Sequence, residues 1–214
     1  MAFKFISEQN ILPHKLRYKL QPVNEFITSN IMQVQRIFEN NGDYLCLSIH
    51  DRSILLRNTI KHAGCFGATF VLHQTGLLND PSFCKTVELI FGSKVMSTIK
   101  PINNTYDSDI IFIKLILSIL AFSTIGYTIY TNTSMDNISN LKSIIHIQDV
   151  YIDLTWKYLI YTYNEEQAIK RFCNLLRCLF HIHRTIITAN TIQQYTDMID
   201  TVIEQTEDLL ISYN

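Results

Sequence analysis

Glycine and proline are scarce in this chain, six and four in 214 residues, and its apolar residues recur mostly at spacings of three and four. Few backbone breakers and a period near 3.6 favour long helices over a strand-rich fold, so the expected class is all-α. A continuous helical stripe runs through Val23, Phe26, Ile27, Ile31, Val34 and Phe38, and Asn40-Asn41-Gly42 should stop it. Ser48 is placed to cap a second helix with Asp51 in its first turn, where a carboxylate suits the positive end of the helix dipole. That helix continues through Ile60, Phe66, Phe70 and Leu72. Gly64 and Gly67 lie inside it, and because interior glycine costs about 1 kcal/mol relative to alanine, the pair implies a bend or a close helix approach.

Short helices follow around residues 83–91 and 95–99, then a helix capped by Asp107 or Ser108 and running to about Ser123. After a polar loop over Thr131 to Asn137 come a long pattern from Ile138 to Leu159, a helix opened by Glu165 and Glu166, and a final helical region through Tyr195, Met198, Ile203 and Leu210. Residues 1–22, with Pro13, Pro22 and little periodicity, read as a lead-in, and 23–214 as one domain.

Composition narrows the function. Hydrophobic residues make up 47% and charged residues 17%, enough apolar material for a large core and too much for a disordered chain. A net charge of -1 gives no global basic field, so direct contact with DNA or other nucleic acid is not expected. Five cysteines with no C-x2-C spacing suggest neither a disulfide framework nor a zinc ribbon, and they read as reduced thiols of an intracellular protein. The most apolar run, Ile110 to Ile119, is interrupted by Lys114 and is shorter than the roughly 20 residues a bilayer span needs. No membrane association is expected.

Three stretches, taken in order, resemble the ligand-binding domain of nuclear receptors. Leu47-Ser48-Ile49-His50-Asp51-Arg52-Ser53-Ile54-Leu55-Leu56-Arg57 is similar to the family signature, with Arg52 in place of a glutamine and Arg57 in place of a lysine. Asp107-Ser108-Asp109-Ile110 through Leu120-Ala121 resembles the aspartate-capped apolar helix that follows the pocket-lining helices. Gln148, Leu154 and Tyr158-Leu159, followed by Arg171-Phe172, Leu175-Leu176, Leu179 and His183-Arg184, look like the family's next two paired helices.

The resemblance implies a three-layer antiparallel helical sandwich holding a small lipophilic ligand. It also implies regulation of transcription, in the nucleus or alternatively from the cytoplasm, through a coactivator or corepressor peptide or a homo- or heterodimer partner. Expected ligand-pocket residues are Phe26, Ile27, His62, Phe66, Phe70, Tyr195 and Met198, although core packing accounts for His62, Phe66 and Phe70 equally well. For partner binding, an ungapped match places Glu39 and Arg57 where the family has two lysines that clamp a coregulator helix, with Arg36 one turn earlier as the nearest cation. Leu209 and Leu210 stand where the family's terminal activation helix has its apolar pair, but the glutamate that should follow is missing. That departure, and the reversed charge at Glu39, favour a repressive or heterodimer-only role over ligand-switched coactivation. The family's zinc-bearing DNA-binding module is not in this stretch, which fits either a fragment or a receptor acting only through partners.

Other readings are weaker. His181-Ile182-His183 places two imidazoles on diverging faces of a helix, a poor start for a metal site, and no metal or other cofactor is expected. Cys65 and His62 have the residue types of a nucleophile and base, but no phosphate-loop, dinucleotide or nucleophile-elbow motif accompanies them, so no enzyme is expected. The alternative to a receptor is a ligand-independent helical interaction module with a filled core.

Overall fold

The computed structural model describes residues 1–123 and 138–212, and the loop expected over Thr131 to Asn137 lies outside them. The chain is all-helical, with no strand among the described residues. Among the described residues ten α-helices follow in order: α1 Ala2–Ile11, α2 Leu20–Met32, α3 Gln35–Glu39, α4 Gly42–Leu45, α5 Ile49–Gln74, α6 Pro81–Ile99, α7 Ile110–Ala121, α8 Leu141–Thr162, α9 Glu165–Ala189 and α10 Gln193–Ser212.

Helix α5 is the hub, packing against α2, α7, α9 and α10. Its start is fixed as the sequence indicates: the Ser48 hydroxyl accepts the Asp51 amide at 3.0 Å. Asp51 itself is buried and reaches forward to the start of α8, accepting the Ser139 amide and hydroxyl, each at 2.8 Å. The expected close approach is at Gly64, where a β-carbon would lie 2.8 Å from Cγ2 of Ile31. Only a glycine lets α2 and α5 come this near.

Around the hub, α6 packs on α2 and α9, α7 on α8, and α8 on α9. The two short helices expected before Pro101 form one element bent at Gly92, whose φ of +82° is open to glycine and costly for other residues. The stripe from Val23 to Phe38 is broken at Gln33 and Val34, where backbone bonds tighten to i→i−3 spacing.

The segment read as a lead-in is structured. Phe5 of α1 stacks on Phe26 at 4.2 Å between ring centroids, and Gln9, itself buried, accepts the Tyr18 amide at 2.7 Å. Thr86 of α6 donates to the Tyr18 carbonyl, pinning the turn between α1 and α2 to the body. Helix α2 begins at Leu20, before Pro22, because proline in a first helical turn removes an amide that has no intrahelical partner anyway.

Candidate functional site

The expected pocket residues fall into two groups separated by the geometry of α5. Ile27 of α2 and Tyr195 and Met198 of α10 share the wall of an interior cavity of about 70 Å³ with Ile31, Thr69 and Thr185. All six are buried. The face that α5 turns toward this space is Cys65, Ala68, Thr69 and Leu72. His62, Phe66 and Phe70 do not line it. At 100° per residue their face is rotated by about a quarter-turn from it.

Each of those three is engaged elsewhere. Phe66 packs on Tyr106 with ring centroids 5.1 Å apart, and Phe70 flanks the same ring at 5.9 Å, while the Tyr106 hydroxyl donates to the Phe66 carbonyl. His62 lies 3.2 Å, Nε2 to Nδ1, from His183 of α9, with the two rings nearly parallel. Burial, then the neighbouring charges of His183 and Lys61, lower the His62 pKa to about 4, so it is neutral at physiological pH. Phe26 also stays out of the cavity wall, held between Phe5 and the edge of Phe83.

The cysteine next to the cavity is a poor nucleophile, since burial pushes the Cys65 thiol up to about 11. Its neighbour Thr69 donates to the Cys65 carbonyl at 2.7 Å. Among the described residues no group of three or more His, Cys, Asp or Glu side chains is arranged to hold a metal ion. No described helix is long and apolar enough to cross a membrane.

The expected partner residues are also dispersed. Arg36 is exposed on α3, a short helix packed against α7 and α4, and Glu39 accepts a hydrogen bond from Gln35 one turn back. Arg57 on α5 is engaged by Glu207 of α10, whose Oε1 accepts from the Arg57 Nε at 2.7 Å and from the Ser53 hydroxyl at 2.6 Å, while its Oε2 accepts from Nη2. Leu209 is exposed two residues further on, and the side chain of Leu210 lies outside those described. Glu207 went unrecognised in the sequence. Its signal was its register, since it follows Ile199, Ile203 and Thr206 on the buried stripe of α10, and a carboxylate there needs a partner.

A second node joins α7, α8 and α9. Asp109, rather than Asp107 or Ser108, caps α7, its Oδ1 accepting the amides of Ile111 and Phe112. Its Oδ2 accepts the hydroxyls of Tyr158 at 2.8 Å and Tyr163 at 2.7 Å. Burial alone would raise the Asp109 carboxyl, but these hydrogen bonds outweigh it and hold it below the usual carboxylate range. Asp107 supports the turn by accepting the Asp109 amide and pairs with Arg171, whose guanidinium lies 3.7 Å from the Tyr163 ring centre. Arg171 therefore has a structural role in this chain.

Outside the interior, α7, α8 and α9 frame an apolar groove of about 450 Å³ lined by Ile116, Ile152, Trp156, Phe172 and Leu176 among others. Trp156 and Phe172 meet edge to face at its mouth, and Phe180 on α9 is 72% exposed. This surface was not singled out in the sequence, because its residues belong to the same apolar stripes that fill the core.

Comparison with known protein families, with curated proteins and with solved structures finds no match for this chain.

Proposed function

We propose that this chain is a receptor-type ligand-binding domain of the nuclear receptor kind, which holds a small lipophilic molecule and regulates transcription in the nucleus through partner proteins. The observation that carries the proposal is the seat of α10. The last helix lies on α2 and α5, tied to Arg57 by Glu207, and lends Tyr195 and Met198 to the wall of the interior cavity. A molecule in that cavity touches the helix whose position it would regulate. It acts only by binding one arrangement of α10 better than another.

Two further features support the reading. The signature-like helix is the one the fold is built around, and the aspartate in it closes the start of α8. The exposed apolar residues of α8 and α9 suit a protein partner, a second copy or another receptor, since aromatic and aliphatic anchors supply most interface energy.

The test is fluorescence anisotropy with a labelled coregulator peptide, an amphipathic helix with leucines at i, i+3 and i+4, titrated with the full chain and with a chain ending at Val202. The proposal expects binding by the full chain that removal of residues 203–214 changes by tenfold or more. Equal affinity for both chains, or none for either, contradicts it.

One observation favours a second reading, a ligand-independent interaction module. A cavity of about 70 Å³ is well below the roughly 300–1,000 Å³ of drug-sized ligand sites. In that reading the interior is ordinary core, and the groove between α7, α8 and α9 is the working surface.

A further inference from the structure

We infer that the interior cavity takes one compact, uncharged, apolar molecule, such as a single small ring or a short hydrocarbon, and excludes carboxylate-bearing and polycyclic lipids. The inference rests on the ligand-binding reading above and narrows it to a chemical class.

Size is the first argument. An engineered apolar cavity of about 150 Å³ holds benzene or xenon and stays dry otherwise. The present one, at about 70 Å³, is roughly half that, too small to take in a long acyl chain or a fused ring system whole.

The wall gives the second argument. Ile27, Ile31 and Met198 are apolar, and among the described residues no Asp, Glu, Lys, Arg or His side chain lines the cavity. The Thr69 hydroxyl already donates to the Cys65 carbonyl, and Thr185 donates to the His181 carbonyl at 2.9 Å and sits 2.9 Å from the Thr98 hydroxyl. A carboxylate brought into this space would lose its hydration with no cation from the described wall to meet it, a penalty that an uncharged apolar molecule does not carry.

Two parts of the wall can yield to a ring slightly larger than the resting space. Met198 is unbranched and adapts its shape by rotation. Phe91 and Val95 line the cavity on either side of Gly92, where α6 is already bent at a backbone angle only glycine holds easily.

The test uses the full chain and four probes: benzene, xenon, oleate and cholesterol. Benzene is expected to raise the melting temperature in a concentration-dependent way, and xenon under pressure to give a single site between Ile31 and Met198 in a crystal. Oleate and cholesterol are expected to cause no shift. Ala68→Leu, which fills the cavity from α5, should weaken benzene binding at least tenfold, and the xenon site locates the cavity independently should that variant fold poorly. Stoichiometric oleate or cholesterol binding that Ala68→Leu abolishes overturns the size and charge limits while leaving the receptor reading intact. Benzene stabilisation unaffected by Ala68→Leu, with xenon found only in the α7/α8/α9 groove, overturns the location. No response to any of the four overturns both the inference and the ligand-binding reading.

Discussion

Glu207 closes a two-pronged ion pair on Arg57, joining the last helix to the helix at the centre of the fold across 150 residues of sequence. Arg57 is 59% exposed and Glu207 only 14%, so the pair is screened on one side and sheltered on the other. Its forked geometry and the added Ser53 hydroxyl place it at the upper end of what surface pairs contribute. A double-mutant cycle with Arg57→Ala and Glu207→Ala, followed by urea denaturation, should give a coupling of about 1 kcal/mol. A coupling indistinguishable from zero would mean that α10 is held by apolar contacts alone.

The Asp109 node should cost more to break. Asp109→Ala removes the cap of α7 and leaves the hydroxyls of Tyr158 and Tyr163 without their acceptor, so a loss of about 2–4 kcal/mol is expected. Tyr163→Phe, which leaves the cap intact, should cost about 1 kcal/mol. Chemical denaturation of both variants checks the order, and an equal loss would show that the Tyr163 hydrogen bond rather than the cap matters.

The two glycines within α5 should respond with opposite signs. At Gly67 the nearest atom to an added β-carbon is Leu117 Cδ2 at 4.0 Å, so Gly67→Ala should stabilise by up to about 1 kcal/mol through helix propensity. At Gly64 the same carbon meets Ile31 Cγ2 at 2.8 Å, and Gly64→Ala should destabilise by about 1–3 kcal/mol as α2 is pushed away. Thermal melts of the two single variants decide it. Stabilisation by both would contradict the close approach of α2 and α5.

His62 sets an acid limit on the fold. Its pKa is about 4 in the folded chain against an ordinary value of 6.5, so the unfolded chain binds the extra proton first as the pH drops. The stability from keeping the ring neutral is complete above pH 6.5 and is lost as the pH falls from 6.5 through 4, by up to about 3 kcal/mol. His62→Gln should flatten the stability profile over that window, measured by denaturant midpoints at stepped pH. A wild-type profile that is flat between pH 7 and 4 would rule out the buried neutral imidazole.

The helices were legible wherever one face is apolar and the ends carry a capping residue. Ser48, Glu165 and the stripe through Ile199 and Ile203 marked α5, α9 and α10 correctly because burial and capping act locally. Helix α1 was missed because Phe3 and Ile11 point outward and only a few of its residues, Phe5 among them, pack inward, leaving no clean stripe. Gly92 hid the continuity of α6, since a glycine at positive φ reads in sequence as an end rather than a bend.

The grouping of residues around the candidate cavity was legible in part. Ile27, Tyr195 and Met198 reach one cavity because each lies on the inward face of its own helix. His62, Phe66 and Phe70 are equally apolar in register, and only the rotation of α5 against α9 and the chain around Tyr106 decides that they face away. Rotation about a helix axis is fixed by partners distant in sequence, such as His183, and a one-dimensional pattern does not carry it. The pairing of Arg57 with Glu207 was hidden for the same reason.

The measurement that bears most directly on the central claim is a reporter assay with the whole chain fused to a heterologous DNA-binding domain. The account predicts reporter output that departs from that of the DNA-binding domain alone, and that shifts again with Glu207→Lys, which repels Arg57 and unseats α10. Output identical for the fusion, the variant and the bare DNA-binding domain would contradict a role in transcription.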